Sequence, residues 1–202
     1  MPEASAHCTL HAEGLTKRFG GFYALRDVTI DVQEGHIHAV IGPNGAGKTT
    51  LFNALSGTLA VDSGEITFEN QRLEMLKPYR RTALGIARTF QNIRLFEHMT
   101  VIENVMVGAH SRSYSALWGA FSGAVFHRPF AQPAVEKTMR DRAFELLDFM
   151  GLGQKMDENA EDLAYGERRR LEIARALAIE PRLLLLDEPA AGMNPNETHE
   201  LD

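Results

Sequence analysis

Two early stretches of the chain alternate apolar and polar residues, which is the pattern of a half-buried β-strand. Residues 9–15 alternate loosely, residues 24–32 alternate more cleanly, and a turn is predicted between them at residues 17–21. A further short strand is predicted at residues 65–68, after a turn that contains glycine. The pattern therefore predicts that the N-terminal part of the chain is rich in β-structure.

The middle of the chain carries the start signals and the periodicity of helices. Residues 78–84 are predicted as a short helix opened by Pro78, and Thr100 and Glu103 have the spacing of a capping box. Residues 133–150 place apolar side chains on one helix face, formed by Met139, Ala143, Leu146, Leu147 and Met150. The region from about 75 to 160 is therefore predicted to be mainly helical and inserted between β-rich flanks.

Two runs are mostly or wholly apolar and do not follow the alternating pattern of the earlier strands. Residues 36–41 precede a glycine-rich segment, and Leu183–Leu186 end in two carboxylates. A strand that is apolar on both faces is typical of a parallel sheet covered by helices. Both runs are therefore predicted to be buried strands of an α/β fold.

Composition narrows the class of protein. The chain has 202 residues, and its net charge of −6 argues against a sequence-independent nucleic-acid binder, so no nucleic-acid partner is expected. Its single cysteine, Cys8, permits no internal disulfide and fits a reducing compartment. Residues 1–7 lack the features of a secretion signal, and no stretch is long enough to span a bilayer. These features predict a soluble, cytoplasmic protein.

The glycine-rich segment between the first apolar run and the next helix has the pattern of a phosphate-binding loop. It comprises Gly42, Pro43, Asn44, Gly45, Ala46, Gly47, Lys48, Thr49 and Thr50. Glycines let the backbone approach an anion, and converging N–H groups bind phosphate at a helix N-terminus. Lys48 is predicted to bridge the β- and γ-phosphates, and the Thr49 hydroxyl to complete a Mg²⁺ shell. A simple glycine-rich turn is the alternative.

The second apolar run supplies the acids that such a site needs. The carboxyl end of a parallel strand is where these sheets bind ligands, so Asp187 is predicted to hold Mg²⁺ through its water shell. Glu188 is predicted to orient or deprotonate a water beside the γ-phosphate. A strand that merely ends in an acid at a loop is the structural alternative.

A third motif, at residues 163–167, makes the resemblance specific. Leu163-Ala164-Tyr165-Gly166-Glu167 resembles the signature of ABC-transporter ATPase subunits, and the other motifs occur in that family's order along the whole chain. The resemblance implies a P-loop NTPase core with an N-terminal antiparallel β subdomain and an inserted α-helical subdomain. The ATP-binding core would comprise residues 1–75 and 163–202, and the helical subdomain residues 76–162.

The resemblance also implies roles for further residues. Phe19 matches the aromatic residue that stacks on adenine, and Gln91 matches the glutamine that helps Thr49 and Asp187 to organise Mg²⁺. Two subunits would close head-to-tail over ATP, with the signature presented in trans by Ala164, Tyr165, Gly166 and Glu167. Ala164 replaces the usual serine, and Asn194 replaces an aspartate. The family also has a further strand and a switch histidine beyond Asp202, so we expect a C-terminally truncated chain.

The subfamily follows from residues 88–96 and 190–195, which resemble one ATPase subunit of bacterial branched-chain amino-acid importers. That resemblance implies import of branched-chain or other hydrophobic amino acids and a peripheral location on the inner face of the cell membrane. It implies as partners a second ATPase subunit, membrane permeases and, indirectly, a periplasmic binding protein. A soluble ABC ATPase outside transport, or a nucleotide-binding fragment without turnover, are the alternatives.

Two other stretches allow two interpretations each. Residues 111–130 mix small and aromatic residues, and they form either a helical insertion that packs on its own lobe or an apolar surface for a membrane-embedded partner. Phe96 and Trp118 would belong to the permease-binding region at residues 92–130. Residues 168–170 are three arginines, either a phosphate patch or, by our preferred interpretation, a solvated helix face that pairs with Glu172.

Overall fold

The computed structural model describes residues 8–109, 132–189 and 191. The chain divides into two compact units, Met1–Leu84 and Gly85–Asp202. The discontinuous division into core and helical subdomain stays a prediction. The mixed segment at residues 111–130, with Trp118, and the aspartate substitution at Asn194 lie outside the described residues.

The first unit is built on a four-stranded antiparallel sheet. Its strands are β1 (Cys8–Phe19), β2 (Phe22–Gln33), β3 (Ser63–Phe68) and β4 (Gln71–Arg72), in the spatial order β2-β1-β3-β4. Leu10 of β1 pairs with Val32 on one side and with Phe68 on the other. The antiparallel β-structure expected near the N-terminus is therefore present.

One face of this sheet forms the core of the first unit. The buried side chains along β1 and β3 are Leu10, Ala12, Leu15, Ile66 and Phe68. The connection between β1 and β2 is shorter than predicted, because β1 continues through Phe19 and only Gly20 and Gly21 turn. Asp62 stabilises the end of β1, since its carboxylate accepts hydrogen bonds from Lys17 Nζ and Arg18 N, each at 2.7 Å.

Two helices complete the first unit, α1 (Lys48–Ser56) and α2 (Pro78–Ala83). Helix α1 ends at Gly57, which has a φ of +80°, the left-handed conformation that glycine adopts without strain. The buried Arg81 of α2 donates to the carbonyls of Ala54 and Leu55 at 2.7 and 2.8 Å. A guanidinium at this end satisfies terminal carbonyls and complements the helix dipole.

The prediction of a buried strand at residues 36–41 is wrong. The structure has no strand there, and Ile37 and Ile41 are 100% and 92% exposed. A strand gains its stability from cross-strand neighbours and from burial of its faces, not from its own composition. Among the described residues no strand pairs with this segment, so its apolar pattern alone does not make it β-structure.

In the part of the second unit that the structure describes, a parallel strand pair is combined with three helices. Strands β5 (Ile86–Arg88) and β6 (Leu183–Leu185) pair in parallel, with Ile86 opposite Leu183. Helix α3 spans 101–109 within the described part, and α4 (Gln132–Phe149) and α5 (Tyr165–Leu177) follow. Short 3-10 turns lie at Gly153–Lys155 and Ala160–Asp162. The leucine run thus forms a parallel strand as predicted, over Leu183–Leu185, but of its side chains only Leu185 is buried.

The helices of the second unit enclose a common apolar core. Its fully buried members include Val101, Val105, Leu147, Leu152 and Leu171. The predicted apolar face of the helix over 133–150 is confirmed, because Ala143 and Leu147 are buried and Met139, Leu146 and Met150 pack against the same cluster. Among the described residues, no helix has both the length and the apolar character needed to cross a bilayer.

The predicted capping box before α3 is also confirmed. Thr100 N donates to Glu103 Oε2 at 2.8 Å, and Glu103 N donates to Thr100 Oγ1 at 3.3 Å. The hydrogen bond from the Thr100 amide lowers the pKa of the Glu103 carboxyl. Two N–H groups that a helix start otherwise leaves without partners are satisfied reciprocally.

Candidate functional site

The predicted phosphate-binding loop lies in the first unit, where it leads directly into α1. Ala46 N donates to Pro43 O at 3.2 Å, and Gly45 and Gly47 have φ values of +82° and +90°. A Cβ atom on Gly47 would lie 2.3 Å from the Ala24 carbonyl oxygen of β2. Glycine is therefore required at position 47 for two reasons, its backbone conformation and the close approach of β2.

Lys48 folds its side chain over this loop. Its Nζ donates to the carbonyl oxygens of Gly42 at 2.7 Å and Pro43 at 3.0 Å. The first helical hydrogen bond of α1 runs from Leu51 N to Gly47 O, so the start of α1 and the lysine ammonium belong to one exposed loop, with Thr49 exposed beside them. Main-chain N–H groups at a helix start together with a cation form a binding site for anions.

Phe19, the predicted adenine contact, lies at the end of β1. Its ring is 53% exposed, and Lys17 Nζ lies 5.8 Å from the ring centroid. No sequence motif marks the neighbouring Tyr23, whose ring centroid lies 4.8 Å from the Arg18 guanidinium carbon and 4.3 Å from that of Arg26. An exposed aromatic face supported by cations can stack on a nucleotide base.

Asp187, the predicted magnesium ligand, lies in the second unit just after β6. It is only 4% exposed, and its carboxylate pairs with Arg88 at 3.1 Å. Asp187 N also donates to Thr89 Oγ1 at 3.3 Å. Sequence reasoning missed Arg88, although its position in the strand that precedes Gln91 could have suggested a contact with the neighbouring parallel strand.

Gln91 and Glu188 follow the two parallel strands, and the structure brings their side chains together. Gln91 Nε2 lies 3.4 Å from Glu188 Oε2, and the Glu188 side chain is exposed. Glu188 has a φ of +49°, a conformation that costs free energy for a residue with a side chain. The arrangement explains how two residues distant in sequence contact each other, because parallel strands end at the same edge of a sheet.

The preferred interpretation of residues 168–170 as a solvated helix face is wrong for Arg169. This side chain is 1% exposed, and it donates to Glu172 Oε2 at 2.6 Å, so only the predicted pairing holds. Arg168 is partly buried and donates to the Ala160 carbonyl at 3.1 Å. Neighbouring arginines on α5 thus differ in burial and in hydrogen-bond partners, and the run does not form one surface.

The signature residues lie at the start of α5. Glu167 Oε2 accepts a hydrogen bond from Ala164 N at 3.0 Å, and Lys155 Nζ lies 2.8 Å from Glu167 Oε1. Because the Ala164 methyl group cannot accept a hydrogen bond, only half of a capping box exists here. Gly166 is buried and Tyr165 is exposed at the helix start.

The ion pair beside the signature shifts the acidity of both partners. Burial raises the pKa of Glu167, but the hydrogen bonds from Lys155 and the Ala164 amide outweigh it and hold the pKa below its usual value. The hydrogen bond to Glu167 raises the pKa of Lys155. Glu167 is therefore charged near neutral pH, and a negative charge in the first turn of a helix is stabilising.

The predicted metal ligands have the chemistry that Mg²⁺ prefers. Thr49, Gln91 and Asp187 offer a hydroxyl, an amide carbonyl and a carboxylate, all hard oxygen donors. Within residues 8–109 and 132–189, no group of three or more histidine, cysteine or acidic side chains is arranged to hold a metal ion. Each of the three predicted ligands is thus an oxygen donor of the kind that Mg²⁺ binds together with water and phosphate.

Comparison with known proteins identifies the family. Residues 25–191 match the family model described as "ABC transporter". The chain is 45% identical to the high-affinity branched-chain amino acid transport ATP-binding protein LivG of Salmonella typhimurium, over 96% of this chain and 74% of that protein.

Solved structures show the same relationship. A nucleotide-free ATP-binding cassette from an ABC transporter is 35% identical, with a TM-score of 0.79 over 96% of this chain and 74% of the other. A dimeric, post-hydrolysis ATP-binding cassette bound to ADP and phosphate is 25% identical, with a TM-score of 0.75 over 95% and 79%. The chain therefore belongs to the ABC transporter family and is one of its ATPase subunits, homologous to the ATP-binding proteins of branched-chain amino acid transport.

Proposed function

We propose that the subunit binds ATP with adenine on Phe19 and the phosphates in the loop at residues 42–50. The exposed Phe19 ring and the glycine conformations of the loop support this assignment. Lys48 now donates to neutral carbonyls of its own loop, and a phosphate oxygen is a stronger acceptor for its ammonium group. Binding of ATP would therefore redirect Lys48 toward the β- and γ-phosphates.

In this proposal Thr49, Gln91 and Asp187 hold Mg²⁺, which neutralises charge on the β- and γ-phosphates. Glu188 orients or deprotonates the attacking water, since its exposed carboxylate lies next to Gln91 at 3.4 Å. Arg88 keeps the Asp187 carboxylate fixed in a buried position at 3.1 Å. Catalysis then rests on positioning and charge neutralisation, which is what phosphoryl transfer requires.

We propose that the active form is a head-to-tail dimer with a second ATPase subunit. In it, Ala164, Tyr165, Gly166 and Glu167 would face the γ-phosphate that the partner binds. The exposed start of α5 supports this role, because its main-chain N–H groups and the helix dipole attract an anion. The dimeric state of the related cassette that holds ADP and phosphate gives independent support.

We propose that hydrolysis powers import of branched-chain or other hydrophobic amino acids through membrane permeases. The observation that carries this assignment is the 45% identity to LivG, a branched-chain amino acid transport protein, over nearly the whole chain. A periplasmic binding protein would deliver the cargo. The subunit itself would lie in the cytoplasm on the inner face of the membrane, with the region at residues 92–130 receiving the permease.

Two substitutions test the catalytic assignment. We expect Glu188→Gln to bind ATP with an affinity within about threefold of wild type and to hydrolyse it about 100-fold or more slowly. The reason is that the amide keeps the shape of the side chain but cannot take a proton. Lys48→Ala should instead lose ATP affinity, because it removes the loop's only full positive charge. Equilibrium binding and steady-state phosphate release measure the two effects.

A matched control is Glu180→Gln, the same chemical change at an exposed position that pairs with Arg142 at 3.8 Å. It should leave both quantities unchanged. If Glu188→Gln hydrolyses ATP at the wild-type rate, another group handles the water and the assignment of Glu188 is wrong.

A further inference from the structure

Arg169 of α5 uses every hydrogen-bond donor that its side chain has. An arginine guanidinium carries five N–H donors in a rigid plane. Nε donates to Pro189 O at 3.2 Å, Nη1 to Phe90 O and Glu172 Oε2 at 2.6 Å each, and Nη2 to Glu188 O at 3.0 Å and to Asp187 O. The side chain is buried, so these bonds replace all of its contacts with water.

Four of these five acceptors are main-chain carbonyls of two loops that carry predicted site residues. One is Phe90, which immediately precedes Gln91, and the others belong to three consecutive residues, Asp187, Glu188 and Pro189. Arg169 therefore fixes the backbone on both sides of the Gln91–Glu188 contact at once.

Glu172, one turn further along α5, completes the connection. One carboxylate oxygen accepts from Arg169, and the other accepts from Phe90 N at 3.3 Å and Arg94 N at 3.4 Å. Its side chain is buried as well. In residues 90–94, Arg169 therefore binds a main-chain carbonyl and Glu172 binds main-chain N–H groups. Together the two side chains hold this segment in place.

The hydrogen bonds of Arg169 surround Glu188, whose backbone conformation is strained. A φ of +49° persists for a residue with a side chain only when its surroundings hold it there. The hydrogen bonds from Arg169 to the Glu188 carbonyl and to both neighbouring carbonyls provide that restraint. Because a shift of about 1 Å in a reacting group can lower a rate about 100-fold, a restraint of this kind bears on catalysis.

We propose that Arg169 is a positioning residue for ATP hydrolysis. Through it, the helix that begins with the signature segment sets where Glu188 and Gln91 stand relative to each other. Tyr165 lies one helical turn before Arg169 on α5, so a displacement at the signature end reaches both loops through one rigid side chain. The inference rests on the proposed function, in which Glu188 handles the attacking water.

Lysine cannot replace this arginine. Its ammonium group keeps the positive charge but has three donors around one nitrogen, so at least two of the five acceptors lose their partner. Arg169→Lys therefore keeps the positive charge but loses at least two of the five hydrogen bonds. Arg168→Lys is the matched control, because it makes the same change one residue earlier on the same helix, where the side chain contacts Ala160 and Glu97 instead.

We expect Arg169→Lys to lower kcat about 10- to 100-fold while KM and the affinity for a non-hydrolysable ATP analogue stay within about twofold. Arg168→Lys should match wild type. Amide hydrogen exchange should become faster in both segments 90–94 and 187–189 in Arg169→Lys and in neither segment in the control. Glu172→Gln, a milder change that keeps the shape of the pair, should show the same division between kcat and KM.

Two results would overturn the proposal. One is a wild-type kcat in Arg169→Lys and Glu172→Gln, and the other is a parallel loss of kcat, nucleotide affinity and thermal stability, which indicates a merely structural pair. Failure of the proposed function looks different, because wild type itself would then neither bind nor hydrolyse ATP, while the hydrogen-exchange result would still report on the connection.

Discussion

At the scale of single residues, the buried pair of Arg169 and Glu172 on α5 carries the free-energy cost of removing charged groups from water. Removing two charges from water costs free energy that their mutual attraction only partly returns, and well-packed apolar residues often stabilise as much. Arg169 and Glu172 are both buried, and each makes several hydrogen bonds to main-chain groups. What the pair provides is therefore better described as fixed geometry than as stability.

His11 offers a residue-scale prediction about pH. Its Nδ1 lies 2.5 Å from Asp31 Oδ1 across the β1–β2 pair, and this hydrogen bond, reinforced by the nearby Glu13, raises the pKa of His11 above 6.5. A raised folded-state pKa means that the stabilising contribution is fully present below about pH 6.5 and is lost as the pH rises through the raised value.

We therefore expect His11→Gln to be less stable than wild type at about pH 5.5 and closer to it at about pH 8.5. Urea unfolding at both pH values measures the difference, and an NMR titration of the His11 ring checks the direction of the pKa shift. A gap between the two proteins that widens as the pH rises would contradict the contact with Asp31.

At the scale of secondary-structure elements, helix starts decide much of the local structure. Helix α3 begins with a complete capping box, whereas α5 begins with Ala164, whose side chain accepts nothing. Glu167 alone satisfies the Ala164 amide. The start of the signature helix therefore lacks one of the two hydrogen bonds that a complete capping box provides.

We expect Ala164→Ser to complete the box and to raise the free energy of unfolding by about 1 kcal/mol, the usual difference between serine and alanine at this position. Ala164→Val, which also enlarges the side chain but adds no acceptor, should not stabilise the protein. Chemical denaturation measures both variants. Equal stability of the serine and valine variants would show that the cap is not limiting.

The capping box of α3 and the buried Arg169 of α5 show what sequence can and cannot predict. Thr100 and Glu103 are three residues apart, so local spacing sufficed to predict their reciprocal hydrogen bonds. Arg169 contacts a carbonyl 79 residues away, and no local pattern distinguishes it from Arg168. The interpretation of the arginine run therefore failed at Arg169, which is buried because its partners come from two distant segments of the chain.

The strands show the same difference between features that local sequence determines and features that distant partners determine. The leucine run forms a parallel strand because β5 lies beside it, whereas the mostly apolar residues 36–41 form no strand and are largely exposed. Whether an apolar run becomes a strand depends on its neighbours, which periodicity does not reveal. The glycine conformations of the phosphate-binding loop were predictable, since only glycine adopts them without strain.

At the scale of the whole molecule, the proposed transport function requires that hydrolysis be coupled to a partner in the membrane. Phe96 lies in the region assigned to that partner, and its ring is substantially exposed. Its backbone is held independently of the ring, because Phe96 N donates to Asn104 Oδ1 at 2.9 Å and Asn104 Nδ2 donates to Phe96 O at 3.0 Å. The side chain can therefore be changed without releasing the loop.

We expect Phe96→Glu to reduce leucine uptake by the assembled transporter about tenfold or more, because a charge in an apolar contact cannot be buried without cost. The affinity of the subunit for ATP should stay within about twofold. Phe149→Glu, which charges an exposed aromatic residue at the end of α4, is the control and should transport normally. Unchanged uptake in Phe96→Glu would exclude this ring from the coupling surface.

Above all, we propose that the loop at residues 42–50 binds the phosphates of ATP and that Asp187 and Glu188 serve the hydrolysis of that ATP. A crystal structure of the Glu188→Gln protein with ATP and Mg²⁺ would show where the nucleotide binds. We expect the β-phosphate within about 3 Å of Lys48 Nζ and the loop amides, and Mg²⁺ about 2.1 Å from the Thr49 hydroxyl. A nucleotide bound elsewhere, or Asp187 and residue 188 both remote from the γ-phosphate, would contradict it.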